Sequence, residues 1–151
     1  MANFFNPDFR DLLLAFNKTE VEYMLVGGYA VILHGYERVT GDLDIWVHCT
    51  EQNYTKIEKA FLFFGMPLFD MTLQNFLDNA KCDVFRFGRR PIAIDIMTKV
   101  KGLDFSMAFE KSEVKIIDGF PVKLIHYSHL IISKREAGRN KDLNDLDNLS
   151  P

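Results

Sequence analysis

The sequence predicts an α+β protein in which a mixed β-sheet is flanked by helices within one domain, residues 1–151. Three observations predict this class. Short apolar runs rich in β-branched residues alternate along the chain with segments whose apolar residues recur at helical spacing. The composition, 48% hydrophobic with 14 Phe, is that of a chain that buries a core and argues against disorder. The length is that of one ordinary domain.

Local signals place the elements of the first half of the chain. Asn6-Pro7 predicts a helix start, because Asn caps helices and Pro is favoured in their first turn. The apolar run from Tyr23 to Val26 predicts a strand that ends at a glycine pair. The apolar residues after that pair predict a short helix that stops at Gly35. Thr50 predicts the cap of a longer helix that ends at Gly65.

Two strands and a hairpin are predicted in the second half. The segments Cys82 to Phe87 and Ile92 to Thr98 predict strands joined by a tight connection, Gly88-Arg89-Arg90-Pro91. Asp118-Gly119 predicts the turn of a small hairpin. For the segment 68–80 two interpretations are open, a short helix or a mobile loop over the site.

The pair Gly27-Gly28, between the first strand and the helix after it, predicts a seat for an anion. Glycine lets backbone N–H groups approach a ligand closely. The unpaired N–H groups and the dipole at the start of a helix favour a phosphate at the same place. On its own, a glycine pair before a helix is also common as a plain turn.

A pair of carboxylates follows in the next strand. Side chains alternate faces along a strand, so Asp42 and Asp44 share one face about 6–7 Å apart and repel each other unless a cation lies near them. Mg²⁺ prefers one or two carboxylates together with substrate phosphates and water. The glycine pair and the acids together therefore predict a site for a metal-bound nucleoside triphosphate.

A third acid, Asp95, lies within the second of the two later strands. A charge in such an apolar strand is costly unless it is paired or bound to a metal. Two interpretations are open: Asp95 belongs to the site, or it faces water or pairs with an arginine of its own hairpin. We favour the first. Asp83 and Asp104 are weaker alternatives, because neither lies in so apolar a strand.

These residues resemble the signature of a known superfamily. The order Gly-Gly-x-Ala-Val, His-Gly, Arg-x-Thr and Asp-x-Asp-Ile, from Gly27 to Ile45, is similar to that of polymerase-beta-like nucleotidyltransferases. It looks like their small bacterial branch, which includes toxin, antitoxin and antibiotic-modifying members. The commoner superfamily motif has Gly-Ser where this chain has Gly27-Gly28. The resemblance is strongest over residues 26–47 and extends over nearly the whole chain.

The resemblance implies a metal-dependent nucleotidyltransferase that moves a nucleoside monophosphate from ATP or another triphosphate to an acceptor hydroxyl. It implies that Asp42, Asp44 and Asp95 are the catalytic, metal-binding residues and hold two Mg²⁺ or Mn²⁺ ions about 4 Å apart. Gly27 and Gly28 would then seat the phosphates of the nucleotide.

Four further residues are candidates for nucleotide binding. The C-terminal pattern Lys-x-x-x-Gly-Arg-x-Lys-Asp resembles a motif of the same branch, which implies phosphate contacts for Lys134 and Lys141. Arg38 and Thr40 precede the acidic strand and are candidates for contacts with the same phosphates. For Arg38, an ion pair with an acid close to it in the sequence is equally open.

Composition limits the cellular setting. No apolar run is long enough to span a bilayer, and the first residues lack the pattern of a signal peptide, so we expect a cytoplasmic protein with no membrane partner. Cys49 and Cys82 are far apart, and reduced thiols are expected. A net charge of -3 gives no overall attraction for nucleic acid, which would have to meet a local basic patch.

Other functions and partners stay open. A non-catalytic antitoxin or regulatory module on the same fold would bind nucleotide without turnover and would act on a toxin or antitoxin partner. The acceptor could be a small molecule, a protein or RNA, and the basic residues between Arg86 and Lys101 predict a local basic edge for RNA. The many Phe residues also leave room for a homodimer. The acceptor depends on loops whose specificity the sequence does not reveal.

Overall fold

A six-stranded mixed β-sheet forms the centre of the structure, a computed structural model that describes residues 3–80, 83–89 and 92–149. The strands are β1 (Tyr23–Val26), β2 (Leu43–Val47), β3 (Val84–Arg89), β4 (Ile92–Met97), β5 (Glu113–Ile117) and β6 (Phe120–Leu124). Their order across the sheet is β3-β4-β2-β1-β6-β5. The pairs β1/β2, β3/β4 and β5/β6 are antiparallel, whereas β2/β4 and β1/β6 are parallel. The predicted α+β class with a mixed sheet is confirmed.

Helices flank this sheet on both faces. In the described ranges they are α1 (Pro7–Lys18), α2 (Gly27–Leu33), α3 (Glu51–Phe64), α4 (Leu73–Leu77), α5 (Phe105–Lys111), α6 (Tyr127–Ala137) and α7 (Asn140–Asn148). Phe61 of α3 packs against Phe87 of β3, with ring centroids 4.9 Å apart. On the opposite face, Phe105 of α5 packs against Trp46 of β2 at 5.2 Å. None of these helices is both long and apolar enough to cross a lipid bilayer.

The alternation of side chains along β2 separates the core from the site. Leu43, Ile45 and Val47 are fully buried, because they point toward the face that α1 and α3 cover. Asp44 points to the opposite face. Since β2 and β4 are parallel with Asp44 beside Asp95, the same register carries both acids onto one face of the sheet.

The sequence signals at helix ends and turns are present in the structure. The side chains of Asn6 and Thr50 each accept a hydrogen bond from the backbone N–H three residues later, at 2.9 and 3.1 Å. Gly65 ends α3 in the left-handed conformation. Asp118 and Gly119 both have positive φ, 53° and 86°, as the tightest hairpin turns require.

The hairpin of β3 and β4 differs from its predicted bounds. The first strand begins at Val84 and includes Gly88-Arg89, which the sequence analysis assigns to the connection. The antiparallel partners of these two residues on β4 explain the difference, because pairing extends the strand. Cys82 and Arg90-Pro91 lie outside the described residues.

Two short helices separate the predicted strands. Within 68–80, α4 packs against α3 through the fully buried Phe76 and contributes no residue to the cleft described below. The interpretation as a loop over the site is therefore wrong. Helix α5 was not predicted. Asp104 caps it by accepting the N–H of Met107 at 3.1 Å, which accounts for this acid without a role in the site.

Candidate active site

A cleft of about 410 Å³ opens where β1 passes into α2. All predicted site residues except Asp95 line it: Gly27, Gly28, Arg38, Thr40, Asp42, Asp44, Lys134 and Lys141. They come from the β1–α2 junction, the loop before β2, helix α6 and helix α7, which are far apart in the sequence. The fold thus brings these residues together, and the roles assigned to them stay predictions.

The glycine pair allows the start of α2 to lie directly against two functional side chains. Gly27 has a φ of 67°, a conformation that favours glycine, and a Cβ at this position would overlap the carboxylate of Asp44. A Cβ at Gly28 would overlap the hydroxyl of Thr40. The residue that caps α2 makes no side-chain cap hydrogen bond, so the first N–H groups of this helix are left for another acceptor.

Three carboxylates meet beside this helix start. Asp44 and Asp95 are register neighbours on adjacent parallel strands, which lie about 4.8 Å apart in a sheet. Asp42 directly precedes β2, and one arginine reaches both Asp42 and Asp95. We call Asp42, Asp44 and Asp95 the carboxylate cluster. The third predicted acid is therefore on the same face of the sheet as the first two.

Arg86 of β3 binds two of the three acids. Its Nε and Nη2 donate to Oδ1 and Oδ2 of Asp95, both at 2.9 Å, and Nη2 also donates to Oδ2 of Asp42 at 3.1 Å. Arg86 is directly opposite Asp95 in the β3/β4 register. The structure thus shows the pairing of Asp95 with an arginine of its own hairpin, and it also places this acid beside Asp44, where its role in the site stays a prediction.

Asp44 is the acid of the cluster to which Arg86 does not donate. Burial, followed by the negative charges of Asp95 and Asp42, raises the pKa of Asp44 to about 7, while Lys134 and Lys141 act in the opposite direction. Burial and the two neighbouring acids thus both disfavour the charged form of Asp44, and the two lysines do not offset them.

The carboxylate cluster fits a divalent cation by the chemistry of its donors. All of its candidate ligating atoms are carboxylate oxygens, which suit Mg²⁺, and a cation beside them would offset the burial and the two acidic neighbours that raise the pKa of Asp44. In the conformation seen here, no three acidic, histidine or cysteine side chains of the described residues are arranged around one point as metal ligands. Arg86 instead supplies the positive charge between Asp42 and Asp95.

The opposite wall of the cleft contains a second group of charges. Lys134 lies 3.2 Å from Asp142 and 3.0 Å from Asp145, and its side chain is only 7% exposed. Arg38 pairs with Asp145 at 2.9 Å, so its partner is an acid of α7 and not one close to it in the sequence. We call Arg38, Lys134, Asp142 and Asp145 the buried ion-pair cluster. It joins α6, α7 and the loop before β2.

Lys141 and Arg139 are the remaining cations of the cleft. Arg139 donates from Nε to Oδ2 of Asp142 at 2.6 Å. Lys141 is exposed, and in the described part of the chain no ion pair or hydrogen bond involves its ammonium group. Of the predicted phosphate-binding lysines, Lys141 is thus free to bind a ligand, whereas Lys134 is already paired.

A second cavity of about 180 Å³ adjoins the cleft at Gly27 and Asp44. Lys99 and Lys101, from the segment after β4, line it. The basic run noted in the sequence is therefore divided: Arg86 binds the carboxylate cluster, Arg89 alternates to the other face of β3, and only the two lysines face the second cavity. Arg90 lies outside the described residues.

Sequence reasoning missed Asp142, Asp145 and Arg86, and it assigned no role to Arg139, which also lines the cleft. Asp142 and Asp145 are three apart on α7 and face Lys134 of α6, a contact between helices that no local pattern specifies. Arg86 stood in a basic run without an assigned partner. Its position opposite Asp95 could have been found from the hairpin register, had the strand bounds been known.

Comparison with solved structures identifies the fold. The lincosamide antibiotic adenylyltransferase LnuA, in its lincomycin-bound form, has a TM-score of 0.55 at 14% identity over 98% of both chains. TM1012 from Thermotoga maritima, classed as a nucleotidyltransferase, has a TM-score of 0.57 at 13% identity over 92% of this chain and 88% of its own. The antibiotic-resistance factor ANT(2'')-Ia has a TM-score of 0.55 at 14% identity over 93% and 79%.

No protein-family model matches the chain, and no curated protein matches it. The likeness to solved structures is therefore one of fold. Because it covers nearly the whole chain in each of the three cases, the protein shares the fold of these nucleotidyltransferases, as the motif resemblance predicts.

Proposed function

We propose that this protein is a metal-dependent nucleotidyltransferase that moves a nucleoside monophosphate from a nucleoside triphosphate to an acceptor hydroxyl. One observation carries the proposal: the three acids of the carboxylate cluster share one face of the sheet, at the edge of a cleft that the glycine pair and Lys141 also line. An acid cluster beside a seat for phosphates is what transfer of a nucleotidyl group requires. The nucleotidyltransferase fold of the chain supports the same class of reaction.

The reaction exchanges a phosphoanhydride bond of the triphosphate for a phosphoester bond to the acceptor. The acceptor oxygen attacks the α-phosphorus and forms the new bond, the bond from the α-phosphorus to the bridging oxygen breaks, and pyrophosphate leaves. The proton of the acceptor hydroxyl passes to a carboxylate of the cluster or to water. When bound to Asp42, Asp44 and Asp95, Mg²⁺ would polarise the acceptor oxygen and neutralise charge on the leaving pyrophosphate.

The remaining residues of the cleft would orient the triphosphate. The N–H groups at the start of α2 favour a phosphate by their dipole and their unpaired donors. Lys141 is the cation free to approach the phosphates, and Thr40 offers a hydroxyl beside Gly28. Arg38 and Lys134 line the same wall and are paired with acids of α7. Their first role is therefore to hold the wall of the cleft in shape, and contacts with the phosphates are a second role.

The test is turnover of labelled triphosphates. Pyrophosphate release from each nucleoside triphosphate is measured with Mg²⁺ or Mn²⁺ and a panel of hydroxyl acceptors, and transfer of label to the acceptor is followed in parallel. Asp44→Asn is expected to lower the rate by at least about 1,000-fold, because the carboxylate between the two cavities is lost. Release that is independent of metal, or full activity of D44N, would contradict the proposal.

The matched control is Asp83→Asn. Asp83 is an exposed acid on the approach to β3, outside the carboxylate cluster, so the same chemical change there should leave the rate within about twofold of wild type. Thermal unfolding of both variants separates loss of activity from loss of the fold.

A second candidate is a non-catalytic module that binds nucleotide and acts on a toxin or antitoxin partner. One contact favours it: Arg86 already occupies lone pairs of two of the three acids, as expected where no metal has to bind. Tight nucleotide binding without pyrophosphate release, across the whole acceptor panel, would support this module over the enzyme.

RNA is the acceptor class that the second cavity favours. Lys99 and Lys101 line that cavity beside Asp44, and these two cations would give a local attraction that the net charge of -3 does not provide. Binding of tRNA that weakens as salt is raised, and that K99M/K101M weakens further, would support an RNA acceptor. No binding at low salt would exclude it in favour of a small molecule or a protein.

A further inference from the structure

Arg86 gives the carboxylate cluster a cation that belongs to the protein itself. We propose that Arg86 is a positioning residue: it holds Asp42 and Asp95 in place while no metal is bound and releases them when a divalent cation binds. This inference rests on the proposed function, because it concerns the metal-binding step of the same site. It adds a residue of β3 that neither the motif nor the fold comparison assigns.

The contacts show what Arg86 holds. Its guanidinium makes two parallel bonds to the two carboxylate oxygens of Asp95, both at 2.9 Å, and a third bond to Asp42 at 3.1 Å. Bidentate bonds of this kind fix the orientation of a carboxylate as well as its charge. Two acids that would otherwise repel each other are thus kept side by side.

A guanidinium and a divalent cation compete for these acids. Both oxygens of Asp95 accept hydrogen bonds from Arg86, so a metal ion bound to either oxygen would share it with the guanidinium. The two cations would also repel each other at a separation of a few ångströms. Arg86 therefore has to move from at least part of its binding position before Asp95 can become a metal ligand.

Arg86 is placed where such movement is easy. Its side chain is 42% exposed, while that of Lys134 in the buried ion-pair cluster is 7% exposed. A guanidinium at the surface can turn into water on its flexible stem and keep its solvation. Lys134 has no such route, since leaving its two acids would strand buried charges.

Nuclear magnetic resonance of the wild-type protein tests the release directly. In ¹⁵N-labelled protein the side-chain Nε–H signal of Arg86, assigned by its loss in Arg86→Lys, reports the bond to Asp95. We expect this signal to shift or broaden as Mg²⁺ is added to saturation. The Nε–H signal of Arg89, on the other face of the same strand, is expected to stay unchanged.

Metal affinity provides the second measurement, independent of turnover. Binding of Mn²⁺, followed by electron paramagnetic resonance, should be about five- to tenfold tighter in Arg86→Gln than in wild type, and unchanged in the matched control Arg89→Gln. Arg86→Lys keeps the charge and loses the two parallel bonds, so its affinity should fall between the two.

Three outcomes would overturn the inference, and they separate it from the proposed function. If wild type binds Mn²⁺ while R86Q binds it no more tightly and the Arg86 signal is unmoved, the positioning role fails and the enzyme proposal stands. An R86K affinity equal to that of wild type would assign the effect to net charge alone. If no variant binds Mn²⁺, with or without ATP, both proposals fail.

Discussion

The two charged clusters of the cleft are built in opposite ways. In the buried ion-pair cluster, the side chains of Asp142 and Asp145 are 0% and 2% exposed, and cations from other elements reach each of them. In the carboxylate cluster, the guanidinium of Arg86, whose side chain is 42% exposed, pairs with Asp42 and Asp95 and not with Asp44. The acids of the buried ion-pair cluster are thus paired with cations and shielded from water, whereas the cation of the carboxylate cluster is exposed and leaves one acid without it.

This difference separates the charges that maintain the fold from the charges available for chemistry. Buried ions are tolerated only when they are paired, which describes the α6–α7 wall. Burial, together with the neighbouring carboxylates of Asp95 and Asp42, raises the pKa of Asp44, and a pKa raised in this way is a feature expected of functional sites. Three changes test this contrast.

The largest effect is expected for Lys134→Met. Removing the ammonium leaves the carboxylates of Asp142 and Asp145 buried with fewer partners, and the free energy of unfolding should fall by about 3–5 kcal/mol. Chemical denaturation measures it. The matched change Lys141→Met, at an exposed position of the same wall, should alter stability by less than about 0.5 kcal/mol. Equal stability of the two variants would remove the distinction between the clusters.

The next effect, about 4 kcal/mol at most, is expected from pH acting on Asp44. In metal-free protein the folded pKa of about 7 lies above that of the unfolded chain, so between about pH 4 and 7 the folded state retains a proton that the unfolded state has lost. This contribution to stability therefore decreases as pH rises through that window. Asp44→Asn removes it.

The comparison of D44N with wild type isolates this contribution. In urea unfolding from pH 4 to 8, the free energy of unfolding of D44N minus that of wild type should increase up to about pH 7. Above that pH the difference should stay constant. Saturating Mg²⁺ at pH 8 should stabilise wild type more than D44N. A difference between the two proteins that does not change with pH would show that Asp44 titrates normally.

The smallest effect in free energy is expected for nucleotide binding by Lys141→Met. Loss of one exposed ammonium should weaken binding of a non-hydrolysable ATP analogue about tenfold, or about 1.4 kcal/mol, with the fold unchanged. Isothermal titration calorimetry measures it, and Lys115→Met serves as the control, since Lys115 donates to the carbonyl oxygen of Leu33 and does not line the cleft. Equal affinity of K141M and wild type would exclude Lys141 as a phosphate ligand.

Much of the fold follows from local rules. Asn6 and Thr50 are helix caps, Gly65 ends α3, and the positive φ values of Asp118 and Gly119 belong to a tight hairpin. Each signal acts within four residues of the structure it specifies, so the sequence is sufficient to place it. Asp95 was singled out for a related reason, because an acid in an apolar strand requires a partner, and in the structure Arg86 is such a partner.

The parts that were missed depend on contacts between distant segments. Arg38 pairs with Asp145, 107 residues away, and the burial of Lys134 exists only once α7 has packed against α6. The bounds of β3 follow from its pairing with β4 more than from its own residues. Local patterns indicate which residues cap helices and which positions are charged. Tertiary packing determines which of these charged side chains form ion pairs within the fold.

The most direct test of the account is a crystal structure with Mg²⁺ and a non-hydrolysable ATP analogue. We predict the triphosphate in the cleft against Gly27 and Gly28, a metal ion on Asp42 and Asp44, and Arg86 withdrawn from at least one of its acids. A triphosphate bound away from the glycine pair, or a nucleotide held there with no metal ion on the carboxylates, would contradict it.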